Sequence, residues 1–162
     1  MANADYDVIV IGAGPGGYTG AIRAAQLGLK TAVVEMDSRL GGTCLLRGCI
    51  PTKAMLHSAD LVSDLAHAKT MGLDIPDWKL DFAQVMKNKS QTVDKNAKGV
   101  EYLFKKNKIT TERGRGRLTG PKTVEVTQDG ETRTLTAKKG VILSMESTTT
   151  EIGAFPVDGK RI

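Results

Sequence analysis

The chain has 162 residues, 40% of them hydrophobic and 25% charged, with 18 glycines and 4% aromatic residues. This is the composition of a globular protein able to bury one full domain, and it excludes disorder, collagen-like repetition and a disulfide scaffold. The net charge is +5, and no apolar run approaches the roughly 18 residues of a membrane span.

The segment Asp7 to Ile11, apolar after its first residue, predicts a strand buried on both faces. Gly12-Ala-Gly-Pro-Gly-Gly17 follows as a turn. A helix is expected from Tyr18 to Leu27, with Ala21, Ile22, Ala25 and Leu27 at near-helical spacing and Gly28 as its stop. Thr31 to Glu35 reads as a second buried strand. The three elements form a βαβ unit, which calls for a parallel sheet and a right-handed crossover.

Gly41 to Lys53 mixes turn formers with both cysteines. A helix should continue from there with Leu56, Ala59, Val62, Leu65 and Ala66 on its inner face, broken between Gly72 and Pro76. Asp81-Phe-Ala-Gln84 has the form of a capping box. It opens a long helix reaching about Lys106, with Phe82, Val85, Met86, Val93, Val100, Leu103 and Phe104 as one stripe. Short strands are expected at Ile109–Glu112, Gly116–Leu118, Thr123–Thr127 and Thr132–Thr136, with a type I′ hairpin turn at Asp129-Gly130. Gly140–Leu143 reads as a return into the buried sheet, and Ser147 to Ile162 as a loop. The fold class is therefore α/β: a Rossmann-like parallel sheet with flanking helices and a small antiparallel β-meander insertion.

Gly12, Gly14 and Gly17 match G-x-G-x-x-G in the context that motif needs: a strand before, a helix after, and an acid, Glu35, closing the next strand. Gly12 makes the turn, Gly14 admits a pyrophosphate, and Gly17 allows close helix–sheet packing. A pyrophosphate would rest on the helix N-terminus, where unpaired amides and the dipole favour an anion. Glu35 would accept ribose hydroxyls and repel a 2′-phosphate. The loop does not distinguish FAD from NAD.

Cys44 and Cys49 stand five residues apart, a spacing that points side chains away from each other on a regular helix. Pairing would need irregular backbone, which Gly48 and Pro51 can supply. A structural zinc would need about four ligands, and only His57 and His67 remain, at unfamiliar spacing, so no metal site is read. A redox pair and two inert buried thiols stay open on the residues alone. Between Lys87 and Arg117, ten Lys and Arg face three acids. Aromatics do not alternate with these charges as base stacking would need, so the stretch reads as a solvated helix face rather than a nucleic-acid footprint.

Gly12-Ala-Gly-Pro-Gly-Gly17, Glu35, Gly41-Gly-Thr-Cys44, Gly48-Cys-Ile-Pro-Thr-Lys53 and Lys105-Lys-Asn-Lys-Ile109 occur in one order. Together they resemble the N-terminal part of the dihydrolipoamide dehydrogenases, flavin disulfide reductases of the pyridine nucleotide–disulfide oxidoreductase family. The resemblance implies electron passage between dihydrolipoamide and NAD through a Cys pair and FAD. By position, Cys44 would exchange with substrate, Cys49 would contact the flavin, and Lys53 would sit near its ring. It places Thr43 and the loop with Gly12, Gly14, Pro15, Gly16 and Gly17 on the pyrophosphate. Gly42 and Met36 join the cofactor-binding set, Glu35 sits on the adenosine ribose, and Gly116 supplies a backbone contact near the adenine. A helix N-terminus and Lys53 would lower a cysteine pKa. The implied partners are a lipoyl carrier domain, the core of a 2-oxo acid dehydrogenase complex and a second subunit, with no nucleic acid and no membrane. The acidic start from Met1 to Asp7 resembles neither a signal nor a transit peptide, so a bacterial cytoplasm is expected ahead of a mitochondrial matrix.

The departures are local. Ser144-Met-Glu-Ser147 replaces the usual Ala-Thr-Gly-Ser, and Glu146 is expected to weaken FAD binding by bulk and charge. Leu46 and Arg47 stand for a common Asn-Val pair, and Met36 for a frequent basic residue. The family enzymes are far longer, with an NAD domain, a later FAD segment and an interface domain. Residues 1–146 thus read as a first FAD-binding segment and 147–162 as a linker toward an NAD domain. The alternative is a non-catalytic dinucleotide-binding module.

Overall fold

Val8 to Ile11 are buried without a break, which only a central strand allows, and β1 (Tyr6–Ile11) is flanked on both sides. The computed structural model describes residues 4–145, 147, 150 and 152–154. On one side of β1 lies β2 (Thr31–Glu35), parallel, with Val8 opposite Thr31 and Ile11 opposite Val34. On the other lies β6 (Glu131–Leu143), also parallel, with Val8 opposite Gly140 and Ile11 opposite Leu143. β3 (Thr110–Arg113) extends the parallel edge beside β2. β4 (Arg115–Gly120) and β5 (Thr123–Gln128) continue from β6 as an antiparallel meander, giving the order β3-β2-β1-β6-β5-β4.

Among the described residues the helical elements are, in sequence order, α1 (Pro15–Gln26), α2 (Gly42–Leu46), α3 (Cys49–His67), a 3-10 turn at Ala68–Met71, and α4 (Phe82–Lys106). Alternation along β1 and β2 divides the core into two layers. Val8, Val10 and Val33 face the helices, where they meet Ala21, Leu40, Leu45, Val93, Ala97, Val100 and Phe104. Ile9, Ile11 and Val34 face the meander and meet Val124, Val126, Leu135 and Ala137. The expected α/β class with flanking helices and a β-meander holds.

The element limits moved in informative ways. Thr132–Thr136 and Gly140–Leu143 are one strand, β6, whose first half pairs with β5 and whose second half enters the parallel sheet. Ala137 to Gly140 breaks the apolar alternation where the strand changes partners, with a register shift opposite Tyr6 and Val8, and so reads as a gap in the sequence. α1 starts three residues earlier than expected, at Pro15, whose fixed φ suits a first helical position. The stripe on α3 does not face a core: no residue of α3 is buried, Leu56 is 53% exposed, and Val62 and Leu65 are only partly covered. Among the described elements α3 packs chiefly on α4, which covers one side of it. Likewise, α4 buries Val93, Ala97, Val100 and Phe104 but leaves Phe82 exposed and Leu103 partly so.

Local signals held at the turns. Asp81 Oδ1 accepts from the amide of Gln84 at 3.0 Å, capping α4. Asp129 and Gly130 both have positive φ, 52° and 85°, as a type I′ turn requires. Lys87, Lys95, Lys98, Lys105 and Lys106 are exposed on the solvent side of α4. Among the described residues no helix is long and apolar enough to cross a membrane.

Candidate functional site

The first turn after β1 is built for close approach. Gly12 has φ +98°, and its amide donates to the Val34 carbonyl at 2.8 Å. A Cβ on Gly17 would run into the carbonyl oxygen of Gly12, so only glycine lets α1 begin this near the strand. Gly14 is the N-cap without a side-chain cap, Pro15 opens the helix, and the first helical amide to find its acceptor is Tyr18, on Gly14 at 2.9 Å. The amides of Gly16 and Gly17 therefore lie in the first turn, beyond the reach of helical carbonyls, at the positive end of the dipole. Ser144 closes the turn from the far side: its amide donates to Ile11 at 2.9 Å, and its hydroxyl lies 2.8 Å from where a Cβ on Gly16 would stand. Gly16 thus has a packing reason of its own.

Glu35 is 7% exposed, and both carboxylate oxygens are engaged. Oε2 accepts from the amide of Ala13, and Oε1 from the amide of Asp37, each at 2.8 Å. The residue read as a ribose ligand is therefore also the brace of the glycine turn; each oxygen keeps a lone pair for a hydroxyl. Glu35, Met36 and Asp37 line a cleft of about 450 Å³ together with Gly12, Gly116 and Met145. Met36 is 73% exposed. A Cβ on Gly116 would meet Ile11 and Val34 side-chain carbons at 2.9 Å, so glycine lets β4 press against the parallel strands beside this cleft.

The thiols sit on the next segment. Gly41, with φ +130°, donates its amide to the carbonyl of Ala13 at 3.0 Å, and Gly42, with φ +64°, starts α2, which carries Thr43 and Cys44. α2 closes with the Arg47 amide on the Thr43 carbonyl at 2.9 Å. The chain then breaks at Gly48 (φ −118°, ψ −101°), and α3 begins at Cys49. This break supplies the irregular winding the spacing demanded. It sets the Cys44 and Cys49 thiols near enough to interact, both free, Cys44 half-buried and Cys49 exposed. The hydrogen bond with Cys49 lifts the Cys44 pKa above the ordinary thiol value, with burial and the Cys49 charge acting in the same direction. Lys53, exposed one turn into α3, pulls the other way but is outweighed, so the lowering expected from it is not realised at Cys44.

One pair escaped the sequence reading. Arg47 Nη2 lies 2.6 Å from Asp37 Oδ2, tying the end of α2 to the residue whose amide holds Glu35. Nothing periodic marks a pair ten residues apart across two turns. Glu146, the expected disturbance of cofactor binding, lies outside the described residues, as does most of 147–162. Among the described residues, no three His, Cys, Asp or Glu side chains group to hold a metal ion.

Residues 6–153 match the family model described as pyridine nucleotide-disulphide oxidoreductase. The chain belongs to this family. It is 43% identical over 98% of its length to "Dihydrolipoyl dehydrogenase" of Bacillus subtilis, covering 35% of that protein. It is also 43% identical over 97% of its length to "Dihydrolipoyl dehydrogenase 3" of Pseudomonas putida, of which it covers 34%. The same identity, over 99% of the chain, links it to "Dihydrolipoyl dehydrogenase, mitochondrial" of Schizosaccharomyces pombe, where it covers 32%. The chain spans about a third of the length of these relatives.

Proposed function

We propose that this chain is the first FAD-holding segment of a dihydrolipoyl dehydrogenase and carries its redox-active cysteine pair. The observation that supports it best is the hydrogen bond from Gly41 to Ala13: the segment bearing Cys44 and Cys49 is hung directly on the glycine turn.

The cradle suits a dinucleotide. A Cβ on Gly12 or Gly16 would meet Ser144 and one on Gly17 would meet Gly12, so these glycines let the turn, α1 and the end of β6 close together and set the α1 N-terminus beside the turn. The amides of Gly16 and Gly17 would hold the pyrophosphate, with Gly14, Pro15, Gly42 and Thr43 around it. Glu35 would accept the ribose hydroxyls, and Met36 and Gly116 would border the adenine. Bound FAD would supply the redox chemistry that takes electrons on from the reduced cysteine pair.

The chain's own chemistry is thiol exchange. Starting from a Cys44–Cys49 disulfide, a thiolate of dihydrolipoamide attacks the Cys44 sulfur and Cys49 departs as a thiolate. The second substrate thiol then closes the lipoamide ring and releases Cys44. Two electrons pass from substrate to the cysteines, and the two substrate protons leave with the new thiols or to solvent. Lys53 would balance negative charge beside the pair.

The whole enzyme would add NAD as the final acceptor, a lipoyl carrier domain as substrate, a 2-oxo acid dehydrogenase complex core and a second subunit. Residues 1–146 would be the FAD segment and 147–162 the link toward an NAD domain. We place the whole enzyme in a bacterial cytoplasm, although several relatives are named as mitochondrial.

The test is titration of the 162-residue chain with FAD, followed by flavin fluorescence, with ADP as competitor and thiols counted before and after dithionite. Binding that ADP displaces, with two thiols that oxidise and recover together, is expected. Failure to bind either nucleotide would overturn the reading, and binding without reactive thiols would leave a non-catalytic module.

A further inference from the structure

Helix α2 is short and bounded by glycines, with Gly41 before it, Gly42 as its first residue and Gly48 after it. Such a segment has little of its own to fix its orientation, because glycine hinges at both ends carry high conformational freedom. Yet both ends are tied to the same turn. At the start, Gly41 N–H donates to Ala13 O at 3.0 Å. At the end, Arg47 reaches Asp37 at 2.6 Å, the Asp37 amide donates to Glu35 Oε1 at 2.8 Å, and Glu35 Oε2 accepts from Ala13 N–H at 2.8 Å. The circuit leaves Ala13 by its carbonyl and returns by its amide, enclosing the helix that carries Cys44.

We propose that Arg47, through its ion pair with Asp37, is a positioning residue that holds Cys44 against Cys49 and couples occupancy of the cleft at Glu35 to thiol reactivity. This rests on reading that cleft as a nucleotide site. Arg47 touches no reacting atom; it acts through Asp37 and Glu35, two residues that line the cleft. A ligand ordering Glu35 and Asp37 tightens the circuit and keeps Cys44 in its half-buried place. The pair is partly exposed, with side-chain exposures of 54% for Arg47 and 27% for Asp37. Its influence is therefore modest and falls with salt.

The experiment measures alkylation of Cys44 by iodoacetamide across the thiol range, with the site read by peptide mass spectrometry, in the 162-residue chain with and without saturating ADP. ADP should slow Cys44 alkylation about threefold, the scale an ion pair of this exposure supports. In Arg47→Val and in Asp37→Asn the ADP effect should vanish, and Arg47→Lys should restore part of it. At about 1 M salt the ADP effect in wild type should shrink toward that of Arg47→Val, because screening weakens a partly exposed pair. Far-ultraviolet circular dichroism checks that each variant is folded, and Asp37→Asn, which keeps the Asp37 amide and its shape, serves if Arg47→Val is not. ADP that binds Arg47→Val and slows Cys44 as in wild type would overturn the proposal, as would ADP that binds wild type without slowing Cys44. Absence of ADP binding to wild type would instead remove the nucleotide reading, and this coupling with it.

Discussion

Gly17 faces the carbonyl oxygen of Gly12 so closely that even a methyl group between them would overlap it. The neighbour is backbone and cannot rotate away, so the turn itself must open. Gly17→Ala should therefore destabilise the chain by roughly 1–3 kcal/mol, the usual cost of forced overpacking. It should also weaken ADP and FAD binding more than tenfold, since the α1 amides move with the turn. Urea unfolding and fluorescence titration would check both, and unchanged affinity would contradict the placement of the pyrophosphate.

Glu35→Gln keeps the shape of the side chain but replaces one acceptor oxygen by a donor. One of the two amides, Ala13 or Asp37, would then face an NH₂ group in a buried place. A loss of about 1–3 kcal/mol in stability is expected from the orphaned donor. Calorimetry with ADP should show weaker binding as well, and a variant as stable as wild type would mean that the carboxylate is not the brace.

Cys44 is held above the ordinary thiol pKa chiefly by its hydrogen bond with Cys49. Cys49→Ala removes that cause and should shift the pH midpoint of Cys44 alkylation downward, with faster reaction at mildly alkaline pH. The sign for stability follows from linkage: the fold favours the protonated Cys44, so this contribution is complete below the ordinary thiol range. It is lost as pH rises through the raised value. Thermal denaturation across that range should show the decline in wild type and less of it in Cys49→Ala.

Asp81 caps α4 through a single 3.0 Å bond to Gln84. Asp81→Ala should cost about 1 kcal/mol. For a domain of this size the melting temperature should fall by about 2–4 °C. Nucleotide binding should be unaffected, because the first turn of α4 lines no part of the cleft at Glu35.

Much of this architecture could be read before the fold was seen, wherever local pattern and final packing agree. Val8 to Ile11 and Thr31 to Glu35 are apolar because both faces of those strands are covered, and the glycines at 12 and 17 are required by contacts a few residues away. The readings failed where pattern and covering part company. The stripe of Leu56, Ala59 and Val62 is a true helical stripe, but it lines an open groove, with Leu80, Phe82 and Val85 around the start of α4 as the other wall, instead of a closed core. The two halves of β6 look separate because Lys138, Lys139 and Gly140 interrupt the apolar run at the point where the strand changes partners. The Arg47–Asp37 pair, like the second duty of Glu35, depends on how two turns meet, which no periodicity encodes.

β1 is closed on one side by a strand found more than 120 residues later, with Tyr6 opposite Ala137 and Ile11 opposite Leu143. During synthesis the glycine turn must therefore wait, one flank of its strand unsealed, until the chain has been made through Leu143. Folding should be governed by that late closure and be slow for a chain of this size. Shortening the chain from its far end even to the start of β6 would strip a hydrogen-bonding neighbour from the strand that carries the nucleotide turn at the opposite end.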